Sequence, residues 1–281
     1  MKEQSVEDMK ISIITVAYNC EESIGQTIQS VLSQSLLKDG KLCSTEDRTG
    51  PGQSRHDKDR RREQTGVEYL IIDGGSTDKT VAVAESYRAA MKACGVQYDI
   101  LSEPDDGIYD AMNKGIRQAG GEVIGILNCK DRYEPDTLFT VQQTFSEQKC
   151  DLLFGNIRIC KENGSTFIKK ARQRKYQTSR DWNHPTTFVK AELYKKYPFR
   201  NLGIHDDYGF YLQMRRQGRK IVTLDKVLAE FYMGGASNHK SLKAACKRIR
   251  DRYLYCYRIN GYSRWYIVEC VLIEAAKMLL S

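Results

Sequence analysis

Apolar runs of strand length alternate with stretches of helical spacing through the first half of the chain, and this alternation restricts the fold more than any other feature. "ISIITVAYN" is followed by "CEESIGQTIQSVLSQSL", in which Ile24, Ile28, Val31 and Leu32 recur on one helical face. "VEYLIID" ends in "GGSTD" and passes into "KTVAVAESYRAAMKACG", a helical pattern stopped by Gly95. The order returns as "YDILSEP", "DGIYDAMNKGIRQAGG" and "EVIGILN". Strands that are apolar along most of their length are buried on both faces, so the expected class is α/β: one mostly parallel sheet flanked by helices. Asn19 is the expected N-cap of the first helix, with Glu22 three residues on as its capping-box partner.

After Cys150 the pattern changes. "DLLFGNIRI" and "STFIKKAR" read as antiparallel strands, "HDDYGFYLQMRRQG" as a helix opened by acids and closed by Gly218, and "KIVTLDKVLAEFYM" as a further strand. The last forty or so residues look helical. These breaks divide the chain into residues 1–240 and a C-terminal helical extension, 241–281. Residues 38–66 are polar and highly charged, and they read as a mobile surface insertion.

A chain of 281 residues is long enough for one substantial core. Its net charge of +8 suits phosphate-bearing partners or an anionic membrane surface. Nine cysteines without a C-x-x-C pair suggest a reducing compartment. The first ten residues contain no apolar core of a secretory signal, so a cytoplasmic protein is expected. The most apolar tail segment, "WYIVECVLIEAAKMLL", carries Glu269, Glu274 and Lys277 and falls short of the roughly 20 residues that span a bilayer. It remains suited to lying on the inner face of the plasma membrane.

In an open α/β sheet, ligands collect where strands end at their carboxyl termini. Unusual polar residues stand at all four such ends: "AYN", "DGGSTD", "SEPDDGIYD" and "NCKD". Asp73, ahead of two glycines, is placed to accept a hydrogen bond from a base or ribose. No G-x-G-x-x-G follows the first strand and no G-x-x-x-x-G-K-[ST] occurs anywhere, which disfavours nicotinamide and P-loop chemistry.

Five segments now carry a resemblance: "ISIITVAYNCEESIGQTIQSVLSQS", "EYLIIDGGSTDKT", "SEPDDGIYDAMNKGI", "ILNCKDRYEP" and "HDDYGFYLQM". In that order and spacing they resemble the family 2 glycosyltransferases of the nucleotide-sugar-binding GT-A fold. The resemblance implies an antiparallel extension on the acceptor side and inverting transfer of a sugar from a nucleoside diphosphate donor, usually UDP-linked, with Mg²⁺ or Mn²⁺. It points to bacterial surface polysaccharide synthesis, with a glycan or a lipid-linked saccharide as acceptor.

Residue by residue, the family's acidic motif after the fourth strand, "NSDD" or "NSGD", becomes "NCKD". That makes Asp131 the metal ligand and puts Lys130 where similar sequences carry Asp or Gly. One carboxylate suffices when a diphosphate and water complete the shell of a hard cation. The family's "EDYDLWLRL"-type segment makes Asp207 the general base, with Asp206 and His205 as supports. The match also implies donor contacts from Ala17, Tyr18, Asp73, Asp105, Asn113, Lys114, Asn128 and Lys130. His184, in "NHPTTF", borders the acceptor side, His239 is a further metal or phosphate candidate, and Tyr109 is read as packing. Two other readings exist: a nucleotide-sugar-binding protein that has lost transfer through Lys130, and a nucleic-acid-binding protein. The second is disfavoured by the lack of any recognisable nucleic-acid motif.

Overall fold

The computed structural model describes residues 9–37, 66–233 and 241–279. Most of the 38–66 insertion lies outside them, as does His239. The first half runs β1 (Ile11–Ala17), α1 (Glu21–Leu32), β2 (Val67–Asp73), α2 (Thr80–Ser86), α3 (Arg88–Ala93), β3 (Gln97–Ser102), α4 (Ile108–Gln118) and β4 (Val123–Ile126). The expected strand–helix alternation is therefore present. The second helical stretch breaks at Tyr87 into α2 and α3, and Gly95 ends it with φ of 67°.

The second half runs β5 (Arg132–Tyr133), α5 (Thr137–Gln148), β6 (Leu152–Cys160), β7 (Thr166–Lys169), β8 (Phe188–Lys190), α6 (Ala191–Lys196), α7 (Asp206–Arg216) and β9 (Ile221–Tyr232). It closes with α8 (Leu242–Asp251), a wider π-helical segment Arg252–Arg258, and α9 (Tyr266–Leu279).

The sheet order is β3-β2-β1-β4-β8-β6-β9-β5, with β7 on β6. β1 through β4 are parallel to one another, in register from Ile11 opposite Val67 to Ala17 opposite Asp73. The other half is mixed: β8 is antiparallel to β4 and β6, while β9 runs parallel to β6. All seven residues of β1 and of β2 are buried, as continuous apolar strands between two helix layers must be.

One core cluster lies under α1, α2 and α5, the other under α4, α6 and α7. On the second face Gly115 lets α4 settle onto the sheet, because any Cβ there would strike Ile14. Each fully buried isoleucine, such as Ile13 or Ile14, contributes about 1.5–3 kcal/mol against leaving it in water. That packing carries the helix starts to the carboxyl ends of the parallel strands.

The first helix is capped differently from the expectation. Cys20, not Asn19, is the N-cap residue, and it makes no side-chain cap. Instead Asp78 accepts from Glu21 N at 3.1 Å, Thr80 accepts from Cys20 N at 2.8 Å, and Glu21 returns a bond by accepting from Lys79 N at 2.7 Å. The orphan amides of two neighbouring helix starts are thus satisfied by each other's acids and hydroxyls. The Asn19–Glu22 capping box is not formed. Asn19 sits at φ of 44° and bridges the two loops, donating its N–H to Ser76 Oγ and accepting from Thr77 N on Oδ1.

Candidate active site

The loops after β1 and β2 form one rigid floor. Ala17 is buried and its carbonyl accepts from Gly74 N at 2.9 Å, whereas Tyr18 beside it stands 64% exposed. Tyr18 is therefore free to meet a ligand face. Asp73 is buried and its carboxylate is already used: it accepts from Gly75 N, Ser76 N, Ser76 Oγ and Ser102 Oγ. Its place in the structure is to organise the turn.

The loop after β3 brings Asp105 against this floor. Its Oδ1 accepts from Gly107 N at 2.8 Å, and its Oδ2 fills the space that a side chain at residue 74 would take, which is why glycine stands there. Lys114, nearly two turns into α4, donates to Pro104 O at 2.7 Å and pairs with Glu103 at 3.0 Å; that carboxylate pushes the ammonium pKa up. Asn113 exchanges both amide atoms with the Phe199 backbone at 2.8 and 3.0 Å. Both residues, expected as donor contacts, spend these polar atoms holding neighbouring loops.

The "NCKD" turn follows β4. Lys130 has φ of 89°, a backbone region that costs a non-glycine residue about 1–2 kcal/mol, and it is exposed. Its N–H donates to Thr27 Oγ1. Asp131 is only 3% exposed and its carboxylate takes one contact among those formed here, Tyr232 N at 3.3 Å. Burial pushes its pKa well up, and the single Tyr232 N–H opposes that only in part. Asn128 Oδ1 is likewise buried without a partner. A lone buried carboxylate with an unpaired amide oxygen close in sequence suits a hard divalent cation, and Lys130, exposed at the bend, leaves that carboxylate unpaired. Among the described residues no group of three His, Cys, Asp or Glu side chains is arranged to hold a metal, so donor phosphate and water would complete the shell.

At the start of α7, Asp207 is gripped from three directions. Tyr109 OH donates to Oδ1 at 3.0 Å, Tyr208 N donates to the same oxygen at 2.7 Å, and His184 Nδ1 lies 3.2 Å from Oδ2. Tyr109 opens α4, so this contact draws Asp207 to the carboxyl ends of the parallel strands. Burial pushes the His184 pKa down against the opposing pull of Asp207, leaving a neutral ring with Nε2 unpartnered. Tyr109 also stacks on Phe199, so the packing expectation and a polar role hold together.

The two expected supports behave differently. Asp206 is buried, accepts from Leu202 N at 2.9 Å and has its pKa raised by that burial. His205 Nε2 lies 3.1 Å from the Arg252 guanidinium. The histidine that contacts Asp207 is His184, brought there from 23 positions upstream by the turn before β8. The sequence reading missed Tyr109 as a partner of Asp207, and only a hydroxyl near "DGIYD" hinted at it.

The arrangement offers a carboxylate held for proton abstraction and a separate buried carboxylate suited to a cation. Comparison with known proteins identifies the family. The family model for glycosyl transferase family 2 matches residues 12–217. An uncharacterized glycosyltransferase of Mycobacterium tuberculosis, Rv1514c, is 30% identical over 139 residues, which cover 48% of this chain and 40% of that protein, so the chain spans well under half of its length. The putative teichuronic acid biosynthesis glycosyltransferase TuaG of Bacillus subtilis is 21% identical over 85% of this chain and 84% of its own. Among solved structures, Staphylococcus aureus TarS 1–349 in complex with UDP-GlcNAc superposes with a TM-score of 0.61 at 18% identity, over 96% of this chain and 72% of that one, and shows the same fold. With its mixed sheet flanked by helices in the GT-A arrangement, this chain belongs to glycosyl transferase family 2.

Proposed function

We propose that this chain transfers a sugar with inversion from a UDP-linked donor to a hydroxyl of a glycan or lipid-linked saccharide in bacterial surface polysaccharide synthesis. The observation that supports it most is the grip on Asp207 by Tyr109, Tyr208 and His184. A base must be held so that one of its oxygens meets the acceptor hydroxyl while the hydroxyl oxygen attacks the anomeric carbon from the face opposite the diphosphate. The hydroxyl proton passes to Asp207, the new glycosidic bond forms, and the bond to the diphosphate breaks with its electrons leaving on UDP. No covalent sugar intermediate is needed.

Asp131 and Asn128 would hold Mg²⁺ or Mn²⁺, which when bound offsets charge on the leaving diphosphate. Tyr18 offers an exposed ring to the nucleotide, Asp105 lines the floor beside Gly74, and Lys130 reaches into solvent where a phosphate would lie. TarS, a fold neighbour, is known with UDP-GlcNAc, and the reading takes its UDP-linked donor from that likeness. A catalytically lost nucleotide-binding protein is the second reading, favoured only by Lys130. Titration of UDP into the protein with and without Mn²⁺, repeated on Asp131→Ala, separates the two. Metal-dependent binding lost in the variant supports the enzyme reading, and binding indifferent to both changes removes it.

A further inference from the structure

The last helix, α9, presents its two sides in reverse. Its acids point inward: Glu274 is 1% exposed and pairs with Arg248 at 2.7 Å and Arg252 at 3.3 Å, and Glu269 accepts from Tyr257 OH at 3.0 Å. Cys270 and Ile273 are buried with them, yet the helix also carries apolar side chains that point outward. Val268, Val271 and Leu272 share one stripe at helical spacing and are 48%, 46% and 63% exposed, with Trp265 just ahead of the helix at 77%. Surface helices of water-soluble folds do the opposite, so this stripe is built to meet something apolar outside the described residues.

Beside the stripe lies a cleft of about 430 Å³ walled by Val268, Glu269, Leu272, Ile273 and Ala276 on one side and by Thr178 and Arg180 on the other. That second wall belongs to the segment 169–180, "KKARQRKYQTSR", which has six basic residues and no acid. Lys169 is half-buried at the end of β7, Lys170 pairs with Asp225 and Arg174 with Asp181, which leaves Arg172, Lys175 and Arg180 to carry its outward charge. Arg172, Lys175, Tyr176 and Arg180 on it are exposed. A second copy of this chain docking through the same face would bring two sets of these cations into one interface with no acid on the segment to offset them, which is unfavourable. An anionic bilayer matches both halves: acyl chains take the stripe, tryptophan sits at the boundary, and phosphates meet the segment.

We propose that the outward stripe of α9 and the cationic segment 169–180 together seat the protein on an anionic lipid surface. No described helix is long and apolar enough to cross a membrane, so the contact is to one leaflet. The inference goes beyond the transfer reaction and stands without it, since vesicle binding needs no donor or acceptor.

Flotation of the full chain with phosphatidylcholine vesicles, with and without phosphatidylglycerol, tests it. Binding is expected only to the anionic vesicles and is expected to weaken with salt. Leu272→Glu and Trp265→Glu, both at exposed positions, are expected to leave the thermal midpoint unchanged and to abolish binding, and Arg180→Glu to weaken it about fivefold or more. Trp265 emission is expected to shift to the blue on binding, and Trp265→Phe identifies that signal against buried Trp182. Equal recovery with both vesicle types overturns the proposal, as does unchanged flotation of Leu272→Glu. A dimer in light scattering that Leu272→Glu dissolves, without vesicle binding, assigns the face to a second copy and also overturns it.

Discussion

His184 Nδ1 lies 3.2 Å from Asp207 Oδ2, and this contact joins the turn before β8 to the first turn of α7. The neutral ring presents an N–H to the carboxylate and keeps the oxygen aimed. His184→Ala is expected to lower kcat about tenfold to a hundredfold with little change in KM for the donor, the effect of losing one hydrogen bond to a charged group. His184→Asn, whose amide occupies the place of Nδ1–H, is expected to restore most of it. Equal losses in both variants would reduce His184 to a packing residue.

The same histidine sets a pH dependence of stability. Burial lowers its pKa below the ordinary 6.5, so the unfolded chain binds the proton more readily. Its contribution is present above pH 6.5 and is lost as pH falls through the lowered folded value. Asp206, whose pKa is raised by burial, acts in the opposite sense at lower pH, when its carboxyl takes up a proton in the folded state first. Urea unfolding at a series of pH values is expected to show wild type losing stability below pH 6.5 more steeply than His184→Asn.

Asp131 separates stability from ligand binding. A carboxylate 3% exposed with one backbone contact costs the metal-free fold energy, since its lost hydration is poorly replaced. Asp131→Asn is expected to raise metal-free stability by about 1–3 kcal/mol and at the same time to abolish the effect of Mn²⁺ on UDP binding. Calorimetry of unfolding and of UDP binding on the same preparation reads both. Loss of stability in the variant would mean that the carboxylate has an internal partner.

Lys130 holds φ of 89° where glycine is at ease. Lys130→Gly is expected to gain about 1 kcal/mol of stability, offset in part by the greater freedom of glycine in the unfolded chain. If the ammonium meets the donor phosphates, UDP affinity in that variant falls severalfold, and more so at low salt. Unchanged affinity would assign Lys130 to solvent.

Arg252 couples the C-terminal segment to the start of α7. It is buried, pairs with Glu274 and reaches His205, the residue that precedes Asp206 and Asp207. Arg252→Met is expected to destabilise the fold by about 3–5 kcal/mol, because it leaves Glu274 with one fewer partner inside the protein. A loss under about 1 kcal/mol in denaturant titration would show that water reaches the pair.

The alternation of strand and helix was legible in the sequence because β1, β2 and β4 are buried on both faces and so must be apolar along their length. Asp207 and Asp131 were legible as candidates because local motifs carry them. What those acids touch was not. Tyr109 and His184 stand 98 and 23 positions from Asp207, and no local pattern records a contact made by packing α4 and α7 on one face of a sheet. Asn19 read as a cap because capping is judged along one chain segment, whereas here the caps cross between two helix starts. For α9 the sequence determined an amphipathic period, and tertiary structure decided which side faces in: two buried arginines draw Glu274 inward, since a buried charge must be paired, and the apolar stripe is left to face outward.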